Sequence, residues 1–249
     1  MRKITILFFT IATMFIISSL VFANPNLAKL DALDDEKTIE NYKQSIDICL
    51  PALKENPNDF EMTWRCARSY RWFGELSKRE GKDGWKDVCA EYGKKGMGYA
   101  EKAMTLEPEK PNGYYWYAVS VGIYSDGVSI LTALKEGLKD KTQSSFEKTY
   151  QLDKMHEEAG SILGLGRFWY VLPWPLNDKE LSEKYYREYQ KTEHFGVATE
   201  DGPIFISELL IDLGGEKNMA EAKILLEKAA KSESKYFRDR ALALLEKIK

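Results

Sequence analysis

The sequence predicts an all-α fold built from repeated helical hairpins. No segment is a convincing β-strand, and one spacing of small and apolar residues returns five times along the chain. The spacing starts at a small residue, continues with an apolar residue four positions later and a compact residue three further on, and ends at a helix stop after five more. The first of these frames contains Ser45, Cys49, Ala52 and Pro57.

The other four frames begin 51, 46, 40 and 40 residues after the frame before them. They consist of Gly96, Ala100, Ala103 and Pro108; Thr142, Phe146, Thr149 and Lys154; Ser182, Tyr186, Tyr189 and His194; and Ala222, Leu226, Ala229 and Ser234. Such spacing is typical of the second helix of a tetratricopeptide-type hairpin, because that helix approaches its partner closely and then turns. The standard unit has about 34 residues, so the larger offsets indicate longer helices and loops. We therefore expect tetratricopeptide-like hairpins that form a compact solenoid, with these residues at packing positions.

Residues 1–23 have the pattern of a secretory signal peptide. Arg2 and Lys3 give a positive start, residues 4–22 are almost wholly apolar, and Ala23 ends a small-residue cleavage pattern. Because about 20 apolar residues can span a bilayer, an uncleaved membrane anchor is the alternative. We expect cleavage before Asn24, which leaves residues 24–249 as a single helical-repeat domain that is periplasmic or otherwise exported, and membrane-associated if the leader is retained.

The charge of the mature chain excludes nucleic acid as a partner. Removing Arg2 and Lys3 from 36 basic residues leaves 34, against 39 acidic residues, so the net charge is −5. The sequence contains no basic cluster of the kind that phosphate backbones require. With 44% hydrophobic and 12% aromatic residues, the chain can bury one sizeable core.

The cysteines and histidines predict no metal or cofactor site. Cys49 and Cys66 flank a predicted turn at similar distances, so they could form a disulfide, and buried free thiols are the alternative. Cys89 is left over in either case. His156 and His194 do not lie in a metal-binding spacing.

Start and stop signals define the first helices. The acidic run at 34–36 favours the positive end of a first long helix, which extends to about Asn56 and is kinked or broken early at Pro51. A second helix covers about Asp59 to Lys78. A glycine-containing loop at 81–84 separates it from the next helix.

Prolines and glycines divide the rest of the chain. Pro108 and Pro111 mark a turn, and Pro173 and Pro175 form a stiff connector that cannot continue as helix. The last helix has one apolar face, which suits a cap on the solenoid. The remaining helices are expected at about Trp85–Glu107, Asn112–Ser125, Val128–Lys139, Thr142–Asp153, Lys154–Val171, Lys179–Thr192, Pro203–Leu213, Met219–Lys231 and Lys235–Ile248.

The motifs that could carry catalysis are interpreted as structural. Residues 118–122 form a degenerate nucleophile elbow around Ser120, but they lie in a helix-like aromatic run and lack the strand-to-helix turn that this motif requires. The glycines at 160, 164 and 166 lack the ending of a phosphate-binding loop, so we expect tight helix contacts or a bend there. Glu157 and Glu158 are interpreted as a solvated helix face. We predict no catalytic residues and no enzyme.

Arginines are interleaved with aromatic residues in three stretches, at 64–73, 113–117 and 166–170. One hypothesis is that part of this set lines a cavity for a ligand with a carboxylate and an apolar body. The alternative is that the rings fill the cores between repeats and the arginines pair with acidic neighbours. The candidate ligand- or partner-binding residues are Trp64, Arg65, Arg68, Arg71, Tyr115, Trp116, Arg167, Trp169 and Trp174.

Three segments together resemble the T-component family of TRAP transporters. They are the Trp-Arg-x-Ala-Arg segment at 64–68, the Gly-Tyr-Tyr-Trp-Tyr stretch at 113–117, and Gly166-Arg167-Phe168 followed by Leu-Pro-Trp-Pro-Leu at 172–176. The resemblance implies an exported helical-repeat protein that associates with an extracytoplasmic solute-binding protein, encloses a passage or cavity, and forms a trimer. Asn24 departs from relatives that carry a lipid-bearing cysteine after the leader.

Two functional hypotheses follow. In the first, the chain is a non-catalytic periplasmic accessory component of a TRAP-type transport system that binds the solute-binding subunit and a small organic acid or hydrophobic ligand. In the second, it is a general cell-envelope scaffold for protein assembly without a ligand, with a closed, side-chain-filled interior.

Overall fold

The computed structural model describes residues 25–197 and 200–248, and over this part of the chain the all-α prediction is confirmed. The predicted signal peptide lies outside the described residues. Twelve helices and no β-strand are present in the described part. The helices are α1 (Pro25–Asp35), α2 (Ile39–Glu55), α3 (Phe60–Arg79), α4 (Trp85–Leu106), α5 (Pro111–Val128), α6 (Ile130–Lys135), α7 (Leu138–Leu152), α8 (His156–Val171), α9 (Lys179–Tyr189), α10 (Asp201–Leu213), α11 (Glu216–Ala229) and α12 (Lys235–Glu246). None of these helices combines the length and apolar character needed to cross a membrane.

The helices pack as five hairpins and a cap. The hairpins are α1/α2, α3/α4, α5/α7, α8/α9 and α10/α11, and α12 packs on the last of them. Each of the five sequence frames falls in the second helix of a hairpin. All of their helical members except Ala52 are buried, so the frames are packing positions as predicted.

The first predicted helix corresponds to α2, and α1 precedes it as a helix that the sequence analysis did not predict. The acidic run that was expected to open a long helix instead closes α1, and Lys37 adopts a left-handed φ of 45° between the two. Thr38 then starts α2, because its side-chain oxygen accepts a hydrogen bond from the backbone N–H of Asn41 at 3.1 Å. The helix continues through Pro51 to Glu55, so the early break does not occur.

The predicted helix from Val128 to Lys139 is divided. Ser129 has a φ of 112°, and its hydroxyl accepts from the backbone N–H of Thr132 at 3.2 Å, which starts the short α6. Gly137 has a φ of 74°, a conformation that glycine adopts without a steric penalty, and α7 begins after it. Local cap and turn geometry therefore determines boundaries that the apolar pattern did not reveal.

Glycines allow the helices to approach closely. A Cβ atom on Gly93 of α4 would lie 2.5 Å from the backbone nitrogen of Tyr124 on α5. Gly164 and Gly166 of α8 lie against the rings of Phe146 and Tyr186. The prediction of tight helix contacts at these glycines of α8 is confirmed.

The three cysteines are free thiols and are fully buried. Burial raises the pKa of the Cys66 thiol, and a hydrogen bond with Cys49 raises it further, so the two side chains meet as their distance from the turn predicted. The disulfide between them is not formed, and the alternative of buried free thiols holds.

Candidate functional site

The first helices of successive hairpins enclose a groove of about 1350 Å³ on the concave side of the solenoid. Its walls come mainly from α3, α5 and α8, and α6, α7, α10 and α12 contribute smaller parts. Apolar side chains make up part of the lining, including Val119 on α5, Leu134 on α6, Leu163 and Phe168 on α8, and Phe205 on α10. An open apolar groove with charged edges can hold an elongated ligand or a segment of another protein.

Part of the groove wall consists of ion pairs between helices that are distant in sequence. Arg79 of α3 donates from Nε to Glu75 at 2.7 Å and from Nη2 to Asp201 of α10 at 2.8 Å. Its guanidinium also lies 4.7 Å from the ring centroid of Phe237 on α12. Burial by itself would raise the pKa of Glu75, but Lys78, Arg79 and Arg71 together hold it far below its ordinary value. Side chains of the second hairpin thus reach the last helices of the solenoid.

A second ion-pair cluster lies where α8, α10 and α12 meet. Arg167 of α8 donates to Glu208 of α10, and the other carboxylate oxygen of Glu208 accepts from Arg240 of α12 at 2.8 Å. Both guanidinium groups lie near the ring of Phe205, at 4.3 and 5.4 Å from its centroid. Burial raises the pKa of Glu208, but the two arginines outweigh burial and lower it. Arg167 therefore already has an anionic partner.

Arg65 and Arg68 lie outside the groove and attach α1 to α3. Arg65 makes two 2.8 Å hydrogen bonds to the carboxylate of Asp31, and Arg68 donates to Asp31 at 3.1 Å and lies 3.3 Å from Asp34. The hydrogen bond from Arg65 is the main cause that lowers the pKa of Asp31. These contacts match the hypothesis that arginines pair with acidic neighbours.

The aromatic candidates are distributed between core, groove and surface. Trp64 is buried beneath Arg65, whose guanidinium lies 4.1 Å from its ring centroid. Trp116 is 2% exposed, Trp169 is half-buried, and Trp174 is 86% exposed. Of the nine predicted site residues, the groove brings together Arg71, Tyr115, Trp116 and Arg167. It does not include Trp64, Arg65, Arg68, Trp169 and Trp174.

Arg71 and Tyr115 face the groove from neighbouring helices. The guanidinium of Arg71 lies 4.0 Å from the ring centroid of Trp72, and its Nη2 is 3.5 Å from Glu75. The hydroxyl of Tyr115 lies beside Gly160, where a Cβ would come within 2.5 Å of it. Burial raises the pKa of Tyr115. Trp72 also lines the groove, although it was not among the predicted site residues.

The sequence prediction missed a strained turn at the beginning of α8. Glu157, Glu158 and Ala159 have φ angles of 48°, 59° and 61°, which L-amino acids rarely adopt. Both carboxylates line the groove, and Glu157 is only partly exposed, so the interpretation as a solvated helix face is wrong for Glu157. Burial raises the pKa of Glu157 to about 7. No glycine marks the turn, so the sequence carried no signal for it.

Comparisons with known proteins identify the family. The profile of the family described as regulator of microtubule dynamics protein 1-3 matches residues 26–248. The chain belongs to this family. The resemblance to TRAP-transporter T-components is therefore wrong, and the solute-binding partner and the trimer that it implied lose their basis. The short motifs that suggested it are arginine and aromatic packing residues, a proline connector and glycine contacts, which many helical proteins can share.

One solved structure supports the repeat fold. The crystal structure of TTC0263, a thermophilic TPR protein in Thermus thermophilus, is similar with a TM-score of 0.61 and 16% identity, covering 89% of this chain and 99% of that one. PilW, a widely conserved type IV pilus biogenesis factor, matches with a TM-score of 0.36 and 11% identity, covering 87% and 99%. A search of curated proteins found no match. The similarity to TTC0263 confirms the tetratricopeptide-like solenoid and concerns the fold alone.

Proposed function

We propose that this protein is a non-catalytic scaffold that holds an extended segment of a partner protein in its groove. The observation that carries the proposal is the groove itself, which follows the first helices of successive hairpins. Curved helical solenoids create extended concave surfaces of this kind, and such surfaces serve for binding. The family description names microtubules, which are protein assemblies, so it also favours a protein partner.

The charge arrangement of the groove argues against the small organic acid of the first hypothesis. Arg167 is bound to Glu208, and Arg71 and Arg79 both contact Glu75. An acidic ligand would have to displace carboxylates that are already in place, and separating a desolvated ion pair is costly. A protein segment can instead place apolar side chains against the apolar part of the lining and leave its polar groups in contact with water.

We also propose that the mature protein begins at Asn24 and is exported. The proposal rests on the basic start, the apolar stretch and the cleavage pattern of residues 1–23. Intact-mass measurement of the protein from its own cells tests it. A species of 226 residues (249 minus 23) in the exported fraction is expected, and a full-length species in the cell interior would contradict it.

Site-specific photo-crosslinking tests the scaffold function. A benzoylphenylalanine at Val119, within the groove, should crosslink to one defined segment of a partner protein in living cells. The same probe at Ile224, which is 67% exposed on α11 and lies outside the groove, serves as the matched control. Equal crosslinking at both positions, or native mass spectrometry that finds the groove filled by a retained small molecule, would refute the proposal.

A further inference from the structure

The positive charges of the groove are nearly all neutralised within the chain. Of the eight lysines and arginines that line it, seven have a carboxylate partner within 4.0 Å among the described residues. Lys37 is the exception; its Nζ lies 5.3 Å from the ring centroid of Trp72. The groove thus offers almost no positive charge to an anionic partner.

Its negative charges are not neutralised to the same extent. Of the eight aspartates and glutamates that line the groove, five are ion-paired, and Glu157, Glu158 and Glu200 have no ion pair in the described part of the chain. Three unpaired carboxylates therefore stand against one unpaired ammonium group. Electrostatic complementarity at such a surface favours a partner that brings positive charge.

Glu157 is the unpaired carboxylate that is most removed from water. Burial is the main cause that raises its pKa, and the nearby Asp34 and Glu158 add to the rise, whereas Arg68 and Lys37 oppose it. Within the described part of the chain it makes no hydrogen bond or ion pair. A carboxylate in this environment is destabilised in its charged form, and an incoming cation would compensate for the lost hydration.

The surroundings of Glu157 suit a long basic side chain. The ring of Tyr115 lines the groove on α5 and feels the charge of Glu157, since that charge contributes to its raised pKa. Tyr189 borders the same region but is fully buried in the core, so Tyr115 is the ring that a partner's side chain can contact here. Aromatic faces accept the aliphatic stem of lysine or arginine, and they attract the cation itself.

The backbone holds these carboxylates at a conformational cost. Three consecutive non-glycine residues lie in the left-handed region, which is sterically unfavourable for them, and such strain persists only where the surrounding structure imposes it. Ala159 is fully buried, and its N–H donates to the carbonyl of Met155 at 3.1 Å. The turn therefore keeps Glu157 and Glu158 at the groove and not on the outer face of α8.

From these observations we propose that the segment bound in the groove carries an arginine or lysine whose cation is seated against Glu157, with Glu158 beside it. The inference rests on the proposed function and specifies the chemistry of the partner. The proposed ligand group is positively charged, whereas the arginine and aromatic clusters suggested a negatively charged one.

Labelled peptide pools test this inference. The probes are fluorescein-labelled nonapeptide pools with a fixed central residue, which is arginine, the nearly isosteric neutral citrulline, or glutamate. Binding to the protein purified from its own cells is followed by fluorescence anisotropy at pH 8. We expect the arginine pool to bind at least about tenfold more tightly than the citrulline pool, which corresponds to about 1.4 kcal/mol.

The variants identify the residue that is responsible. Glu157→Gln should reduce the preference for arginine over citrulline to less than about twofold, since it removes the charge and keeps the shape. Glu157→Asp should retain a clear preference. Glu180→Gln on α9, at an exposed position outside the groove, is the matched control and should bind as the unmodified protein does.

Each outcome has a distinct meaning. If all three pools bind equally, or if the preference persists in Glu157→Gln, the basic-residue inference is wrong while the scaffold function stands. If the glutamate pool binds most tightly, the sign of the inference is wrong. If no pool binds to the protein, the groove does not take peptide segments, and the proposed function fails together with the inference. The comparison of arginine with citrulline uses the unmodified protein, so it is informative even if a variant fails to fold.

Discussion

Replacing Glu157 by glutamine should stabilise the empty protein in a pH-dependent way. Burial raises the pKa of Glu157 from its ordinary 4.5 to about 7 in the folded chain. This difference corresponds to about 3 kcal/mol in favour of the neutral form. Because part of the side chain is reached by water, we expect a smaller gain, about 1–3 kcal/mol at pH 8, from a substitution that is neutral at every pH.

The direction of the pH dependence of stability follows from proton binding. Between about pH 4.5 and 7 the folded chain holds the proton of Glu157 more tightly than the unfolded chain does. The stability that this group contributes is therefore fully present below about pH 4.5, and it is lost as the pH rises through about 7. Glu157→Gln should unfold at a temperature a few degrees above that of the unmodified protein at pH 8, about 2–4 °C per kcal/mol for a chain of this size, with only a small difference at pH 5.

Thermal unfolding followed by circular dichroism at pH 5 and pH 8 measures both differences. Glu180→Gln is the control and should change stability by less than about 0.5 kcal/mol at either pH, as surface substitutions usually do. A glutamine variant that is destabilised to the same extent at both pH values would show that the carboxylate has a stabilising partner. The reasoning about an unpaired carboxylate in the groove would then be refuted.

Three further predictions concern packing, the first helix and the thiols. Gly93→Ala should destabilise the fold by about 1–3 kcal/mol in denaturant titrations, because its Cβ would meet the backbone of α5. Gly98 lies on the same helix, and a Cβ there would have no atom within 4 Å, so Gly98→Ala should stabilise the fold by about 0.5–1 kcal/mol. A loss of stability in both variants would contradict this reasoning. Asp31→Asn should accelerate hydrogen exchange in α1, because the variant loses the charged acceptor that binds Arg65 and Arg68 of α3. Asp35→Asn changes an exposed side chain of the same helix and should leave the exchange rate unchanged. Equal exchange in the two variants would show that these ion pairs do not hold α1 against α3. The three cysteines should react with Ellman's reagent only on unfolding, because their side chains have no exposure and burial raises the pKa of Cys66 and of Cys89. Rapid reaction of the native protein would contradict their burial.

Part of the candidate site was predictable because local patterns encode it. The arginine and aromatic clusters lie on α3, α5 and α8, and four of their residues line the groove, namely Arg71, Tyr115, Trp116 and Arg167. The same clusters suggested a ligand with a carboxylate, and the ion pairs that Arg71 and Arg167 make within the chain argue against such a ligand. The sequence shows where the arginines are, but it does not show whether an arginine is available to a ligand. That depends on carboxylates more than thirty positions away, as Glu208 is from Arg167.

The sequence by itself determined the helical-repeat architecture, since the spacing of small residues in each second helix and the proline and glycine stops are local signals that helix geometry translates directly into hairpins. Only the tertiary structure decided which charges remain unpaired and which residues face the concave side. Arg79 meets Asp201 across 122 positions, and Glu157 enters the groove through a left-handed turn that no glycine announces. Such features arise where elements far apart in the chain meet. Helical periodicity reports only which residues share a helix face, whereas the burial and ion pairing of a residue depend on neighbours from distant segments.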